Sequence, residues 1–317
     1  MADGAIHLNN KSLLEKADLA LSDLLTGGGL LVEQQAVRFI RILIDRSKIL
    51  GLATVVPMSA PKVSIPKIRF GSRIMRPAHE ATALAVADRA KVDLSKIELD
   101  AKEVKAEVDL NNSVLEDSIE KDALRQTIMQ MMGQAISRDI DELVIQGDTT
   151  SSDDYLALFD GMLAKATSNI VNAGGSSLNK TILRDMIKTM PSPYLGDKAA
   201  MRFMTAMDAE LDYRDSISDR QTGIGDAALQ TDAAVGYSGI PVVDVPLFPE
   251  NLGVGGDTTN VLLTNPKNIA IGIYRNIQFE TDKDIRKGVL IIVARMRLAF
   301  NFYEETAVVK ATNVSVG

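Results

Sequence analysis

The residues that could carry chemistry are few, and their spacing is unhelpful. The chain has no cysteine and two histidines, His7 and His79. Without Cys there is no thiolate nucleophile, no thiolate metal site and no disulfide. His79-Glu80 lacks the second histidine of a zinc-protease helix. Gly253-Val254-Gly255-Gly256 is glycine-rich, yet no Lys-Ser/Thr follows and no helical pattern opens there, so it fits neither phosphate-cradling template. Asp282, Asp284 and Gly288 echo a calcium loop whose remaining oxygen ligands are missing. Glu304-Glu305 is expected in a strand, where consecutive side chains point to opposite faces and cannot share a proton. Asp212, Asp215 and Asp219 fall in a polar stretch, Asp212 to Leu229, that reads as a loop. They could gather a divalent cation, although solvated turn residues are the plainer reading. No constellation meets the geometric requirements of an active site, and no cofactor is implied.

Composition bounds the rest. The 317 residues are 46% hydrophobic and 24% charged, which is ordinary for a globular chain and excludes wholesale disorder. A net charge of −7 argues against non-specific nucleic-acid binding by the chain as a whole. No apolar run approaches the roughly 20 residues that span a bilayer, and the N-terminus is polar where a signal peptide would be apolar. A soluble protein made in the cytosol, with no membrane partner, is expected.

The elements that must position any site are unusually extended. Ser12 and Glu15 form a capping box, and Leu13, Leu14, Ala17, Leu21, Leu24 and Leu25 recur at helical spacing until Gly27-Gly28-Gly29. A helix this short is marginal alone, so residues 1–29 form an arm that docks on something, with Leu13, Leu21 and Leu24 as candidate contacts. From Pro57 to Leu110 the pattern is strand-like: Val63, Ile65, Ile68 and Phe70 going out, then Ile97, Leu99, Val104, Ala106 and Val108 returning at period two. This predicts a long hairpin over 59–108, polar on much of both sides, which lacks the apolar surface to build its own core. Its charge is lopsided. Lys62, Lys67, Arg69, Arg73 and Arg76 meet no acid between Pro61 and Arg76, whereas Glu98 to Asp122 holds nine acids against three lysines. Either the two sides neutralise each other within one hairpin, or the basic strand lies on the acidic stretch of a neighbouring subunit. On the second reading the acidic contacts include Glu98, Asp100, Glu103, Asp109, Glu116 and Asp117.

A second capping box, Ser113 and Glu116, opens a long helix. Its stripe runs through Ile119, Leu124, Ile128, Met131, Met132, Ala135, Ile136, Ile140, Leu143 and Val144 to a stop at Gly147-Asp148. About 30 residues give a rod of roughly 45 Å. Residues 155–265 are α/β in texture, with a helix from Ile182 to Met190 and short strands at Arg202 to Met204 and Ile240 to Val245. Val261 to Leu263, Ile269 to Tyr274, Val289 to Ala294 and Thr306 to Ala311 are expected to form one closing sheet.

This order of pieces resembles the HK97-fold major capsid proteins of tailed double-stranded DNA bacteriophages. Asp109 to Asp117, "DLNNSVLED", leading to "LVIQGDTTS", looks like the family's approach to and exit from its spine helix. Gly239 to Val243 looks like its "GxPV" strand, and Arg297-Leu298-Ala299, Tyr303 and Thr306 to Lys310 look like its final strands. The resemblance implies an α+β chain with an N-terminal arm (1–29), a peripheral domain with the spine helix (30–58, 109–160, 265–317), an extended hairpin loop (59–108) and an axial α/β domain (161–264). It further implies pentamers and hexamers of this chain tiling an icosahedral shell. That shell would sit in the virion, assembled in the host cytoplasm, around double-stranded DNA held by weak non-specific contact. Portal and scaffolding proteins would be partners, with a decoration protein a further one. Since only about thirty residues precede the body, a separate scaffold or none is expected. Encapsulin nanocompartments, which hold enzyme cargo, share the fold and are the nearest alternative; a soluble α/β enzyme using Asp215, Asp219 and a divalent cation is a distant one.

Some relatives lock the shell with lysine–asparagine isopeptide bonds assisted by a buried glutamate. Registering the C-terminal strands without gaps puts Gly288 and Arg295 at the acceptor and glutamate positions. Assembled shells of this chain are therefore expected to run as a single monomer band on denaturing electrophoresis; a ladder of covalent multimers would refute that assignment.

Overall fold

The structure is a computed structural model that describes residues 47–70, 74–75, 77, 92–111, 122–218, 235–253, 255–274 and 278–316. In chain order the elements are α1 (Lys48–Leu52), β1 (Thr54–Met58), β2 (Lys62–Phe70), β3 (Val92–Asp100), β4 (Lys102–Asn111), α2 (Asp122–Gln146), α3 (Met162–Lys165), β5 (Ile170–Asn172) and α4 (Lys180–Thr189). Then follow β6 (Arg202–Thr205), α5 (Met207–Ser218), β7 (Gly236–Tyr237), β8 (Ile240–Asp244), β9 (Thr258–Thr264), β10 (Ile269–Tyr274), β11 (Gln278–Asp284), β12 (Val289–Phe302) and β13 (Val309–Ser315). The N-terminal arm, both capping boxes, Arg73, Arg76, His79, Glu116, Asp117 and Asp219 lie outside the described residues. No described helix is long and apolar enough to cross a membrane.

The chain divides into two compact units. One holds the segment ending at Gly51 with residues 103–141 and 273–298; the other holds 52–102, 142–272 and 299–317. In the first, β12 is flanked by β11 and β4. Its alternation is strict: Leu290, Ile292, Ala294, Met296 and Leu298 are buried, while Val289, Ile291 and Val293 are half-buried and Arg295 is exposed. That is the period-two signature of a strand with one covered face. β11 pairs antiparallel with β12 from Gln278↔Arg295 to Asp284↔Val289. The turn between them is held by Asp284, whose carboxylate accepts from the backbone N–H of Arg286 (2.9 Å) and Lys287 (3.2 Å), and by Gly288 at φ +65°. On α2, Met132, Ile136 and Ile140 are buried at steps of four, while Met131 and Ala135 stand exposed, so the apolar stripe is narrower than its sequence suggests.

The first unit also ties α1 to α2. Asp141 accepts from Ser47 Oγ (2.5 Å) and from the N–H of Lys48 (3.1 Å), and Ser47 Oγ in turn accepts from the N–H of Leu50 (2.8 Å). A five-residue helix cannot persist alone, and here a carboxylate takes up the amides its first turn leaves unpaired. Burial pushes the Asp141 carboxyl up, against the opposing pull of the Ser47 and backbone hydrogen bonds.

The second unit is built on a six-stranded mixed sheet in the order β5-β13-β9-β6-β8-β7. β13 runs parallel to β5 and antiparallel to β9, and β6 runs parallel to β8. One core joins Phe203, Ile240, Val242, Val261, Leu263, Val309 and Ala311 from the sheet to Leu183 and Met186 of α4 and Tyr213 and Ile217 of α5. Asn179 caps α4, accepting from the N–H of Thr181 (2.9 Å) and Ile182 (3.1 Å), and Pro191 follows its end. β7 and β8 join through Ser238 and Gly239, both at positive φ, the two-residue turn whose twist suits a hairpin. Also in this unit, Gly272 lies against Met58, whose Sδ would come within 2.5 Å of an added Cβ.

Three expectations fail here. Residues 212–218 are the end of α5 rather than a loop, because Ala209, Tyr213 and Ile217 form an inward stripe that polar composition obscured. Residues 104–108 do not continue the hairpin: β2 pairs with β3 alone, and β4 pairs with β12. The four C-terminal strands do not form one sheet, since β9 and β13 belong to the six-stranded sheet and β10 and β12 do not.

Replacing Asp141 by Ala should cost about 1–3 kcal/mol, read from the urea midpoint, because it strands buried donors. The raised Asp141 pKa means the folded chain favours the protonated form. Stability from this group is therefore fullest below the ordinary carboxylate value and falls as pH rises through the raised one. Asp141→Asn should abolish that component, which then appears as the pH dependence of the wild-type-minus-variant stability difference.

Candidate inter-subunit surfaces

The β2–β3 hairpin has two unlike faces, fixed by its register from Lys62↔Asp100 to Phe70↔Val92. One face carries Val63, Ile65 and Lys67 opposite Leu99, Ile97 and Ser95. Ile97 and Leu99 are buried, and Val63 and Ile65 are half-buried. Lys67 Nζ donates to the carbonyl of Tyr303 (3.2 Å) and to Glu304 (2.6 Å), and Asn301 Nδ2 donates to the carbonyl of Glu98 (3.0 Å). This face is therefore fastened to the hairpin's own unit, and the base is closed by the N–H of Ala101 donating to the carbonyl of Pro61 (2.8 Å).

The opposite face changes character along its length. Near the base it is charged: Glu98 lies between Lys62 (2.8 Å) and Lys96 (2.6 Å), and Lys102 meets Asp100 (2.9 Å). Further out, Ile68 and Leu94 stand directly opposite each other at 68% and 73% exposure, with Val92 at 47%. Of the sequence candidates, Lys62, Glu98 and Asp100 thus make their ion pairs inside the hairpin, and Lys67 pairs with Glu304. The pairs made by Lys62, Lys96 and Lys102 are exposed and add little stability.

In the first unit, the outward face of β12 carries Val289, Ile291 and Val293 and then Arg295 and Arg297. Glu280, Asp282 and Asp284 stand opposite on β11. Arg297 meets Glu103 (2.9 Å) and lies 5.7 Å from the Tyr274 ring centroid, and Glu107 is paired with Lys105 and also acted on by Arg295, so β4 presents Glu103, Lys105, Glu107 and Asp109 to that same face. The result is a half-exposed apolar row between two acidic rails. Glu103 and Asp109, both sequence candidates, stand on one of them.

The remaining motifs are structural. Glu304 and Glu305 are not in a strand; they open a helical turn and diverge. Glu305 accepts from the N–H of Thr167 (2.9 Å) and Ser168 (2.7 Å). Burial draws its carboxyl up, but these bonds and those from the two hydroxyls outweigh it and hold it below the usual range. Gly253 and Gly256, at φ +79° and +69°, shape the turn into β9. Asp212 and Asp215 sit on α5, and among the described residues no three His, Asp or Glu gather as a metal site.

A hairpin fastened by one face, an antiparallel sheet crossed by a long strand, and a mixed sheet carrying two helices together match known proteins over most of the chain. The phage capsid family matches residues 27–313. The chain belongs to that family. It is 40% identical over 311 residues, 97% of its length and 99% of the relative's, to the prophage capsid protein YqbE of Bacillus subtilis (strain 168). Among solved structures, the satellite phage P4 procapsid gives a TM-score of 0.64 at 16% identity, covering 98% of this chain and 99% of that one. The capsid of the native GTA particle gives 0.60 at 15% identity over 84% and 89%. The SrpI encapsulin of Synechococcus elongatus PCC 7942 gives 0.58 at 13% identity over 86% and 89%. The fold is thus the HK97-like capsid fold, and the chain is a structural shell protein rather than an enzyme.

The hydrogen bonds and charges of Lys62 and Lys96 hold the Glu98 carboxyl at about 2, below its usual 4.5. A depressed carboxylate stabilises above its unfolded value, so this contribution is lost only as pH falls through the depressed one. NMR titration of Glu98 should show it ionised at pH 4, and replacing Lys62 and Lys96 together by Met should return it to the ordinary range.

Proposed function

We propose that this major capsid protein assembles as pentamers and hexamers into an icosahedral bacteriophage shell around double-stranded DNA, each hairpin seating on a neighbouring copy. The observation that carries this is the two-faced hairpin. Its inner face is held by Lys67, Asn301 and Leu99, and so Ile68 and Leu94 are presented outward on a fixed, paired strand. Two large aliphatic side chains left in water at directly opposed positions call for a cover. The acidic rails along β4 and β11 supply a complementary seat: an apolar row for the aliphatic pair, and carboxylates for Arg69, Arg73 and Arg76, which follow Ile68 in sequence. Lys62, Lys67, Glu98 and Asp100 are engaged within their own unit, as are Glu103 with Arg297 and Glu107 with Lys105, so the neighbour contact falls on these arginines and on Asp109.

The same reading divides the chain into an arm (1–29), a peripheral domain (30–58, 109–160, 265–317), the extended loop (59–108, its last residues, 104–108, pairing with β12 and not with the hairpin) and an axial domain (161–264). Leu13, Leu21, Leu24, Glu116 and Asp117 are further contacts between copies. Portal and scaffolding proteins, and a decoration protein, would join the shell in the host cytoplasm, and the −7 chain would hold DNA only weakly. An encapsulin-like compartment uses the same fold; the 40% identity to a prophage capsid protein over nearly full length favours the virion.

Electron microscopy of the purified protein should show closed particles. Ile68→Lys combined with Leu94→Lys should leave a folded subunit, with unchanged circular dichroism, that forms none. Normal particles from that variant would remove the hairpin from the interface, and particles packed with an enzyme instead of nucleic acid would move the chain to the compartment class.

A further inference from the structure

Two helices of the second unit carry outward stripes of unlike chemistry. On α4, Ile182 and Met186 face the core, and two residues behind them Lys180, Arg184 and Lys188 are exposed at steps of four. On α5, Ala209, Tyr213 and Ile217 face the same core, and two residues behind them Met207, Leu211 and Asp215 are outward in the same way. Met207 and Leu211 are 56% and 47% exposed. Asp208 and Asp215 flank them, and Glu250 adds a carboxylate at the start of α5, where it accepts from the N–H of Asp208 (3.4 Å). The basic residue of α5, Arg214, is taken up by Glu210 at 2.7 Å, so it does not offset these acids. On α4 the one ion pair is the exposed Arg184–Asp185 contact at 3.2 Å, which adds little and exchanges readily.

We infer that α4 of one copy packs against α5 of the next, a head-to-tail contact that closes the subunits into a ring. The stripes match in length, each covering eight residue steps or about 12 Å. They also match in chemistry. The aliphatic stems of Lys180, Arg184 and Lys188 would cover Met207 and Leu211 while their charged ends reach Asp208, Asp215 and Glu250. Because the two patches differ and sit on different helices, the contact is heterologous, and a repeated heterologous contact generates a ring where its rotation closes, never a two-fold pair. The inference rests on the shell-forming reading above and adds to it the surface by which copies within one ring recognise each other.

The chain has no cysteine, which permits a clean test. Arg184→Cys and Leu211→Cys are placed together in the full chain, particles are assembled, and a short thiol-to-thiol crosslinker is applied before denaturing electrophoresis. The expected result is a ladder ending at five and six subunits, with neither single variant giving any dimer. Particles without a ladder overturn the inference while leaving the shell reading intact, and dimers from either single variant overturn it in favour of a two-fold contact. Absence of particles from the unmodified protein would instead strike the shell reading itself. A second arm serves if the cysteine pair does not assemble. Arg184→Glu with Lys188→Glu should lower particle yield about tenfold or more, the equivalent of about 1.4 kcal/mol. Adding Asp208→Lys and Asp215→Lys should restore it. Full yield from the first variant, or no recovery in the second, counts against the contact.

Discussion

An isolated two-stranded hairpin can bury only one of its faces on its own chain, and the architecture follows from how that limit is met. Leu99 and Ile97 commit one face to the second unit, and Lys67 and Asn301 pin it there by polar contacts to the Tyr303–Glu304 segment and the Glu98 backbone. Once that face is fixed, period-two geometry leaves no choice for the other: Lys62, Ser64, Pro66 and Ile68 must face away. A hairpin that turned freely could hide Ile68 and Leu94 against itself. Pinned, it holds them in water.

Sequence reasoning read the elements whose periodicity is strong and local. The out-going strand of the hairpin and the capped helix after Asn179 carry their pattern in consecutive residues and are found within a residue or two of their expected places, whereas β12 begins where expected, at Val289, and runs past Ala294 to Phe302. It misjudged pairing. β3 and β4 are both strands of alternating residues separated only by Ala101, so one-dimensional pattern reads them as a single return strand. What separates them is tertiary: β4 leaves β2 for β12, and Arg297 meets Glu103. α5 was missed for the opposite reason. Its inward stripe is only Ala209, Tyr213 and Ile217, buried between aspartates, and composition outweighed three residues at steps of four.

The candidate surfaces were partly legible as well. The imbalance between the basic and acidic stretches is visible in the sequence, but not which charges are already spent. Lys62 and Lys67 belong to the same basic run as Arg69, yet the fold engages them at Glu98 and Glu304. The acidic rail on β11 was read as a failed calcium loop, because Asp282 and Asp284 are close in sequence. In the structure they line one edge of β12 together with Glu280. The stripes of α4 and α5 needed the core first: only when Met186 and Tyr213 are known to point inward do Arg184 and Leu211 become a surface.

None of these surfaces is strong, and a shell requires that none be. Exposed ion pairs each add little, and the aliphatic patches are small. A single contact of this kind leaves two subunits freely dissociating, so a misplaced copy can leave before the next arrives. A ring changes the balance. The last copy makes two contacts where each earlier one made one, and losing any member of the closed ring means breaking two at once. Stability then comes from closure and repetition, with no cysteine or metal cross-link required. It follows that Ile68, Leu94, Met207 and Leu211, exposed in the isolated subunit, are residues whose surroundings would change on assembly.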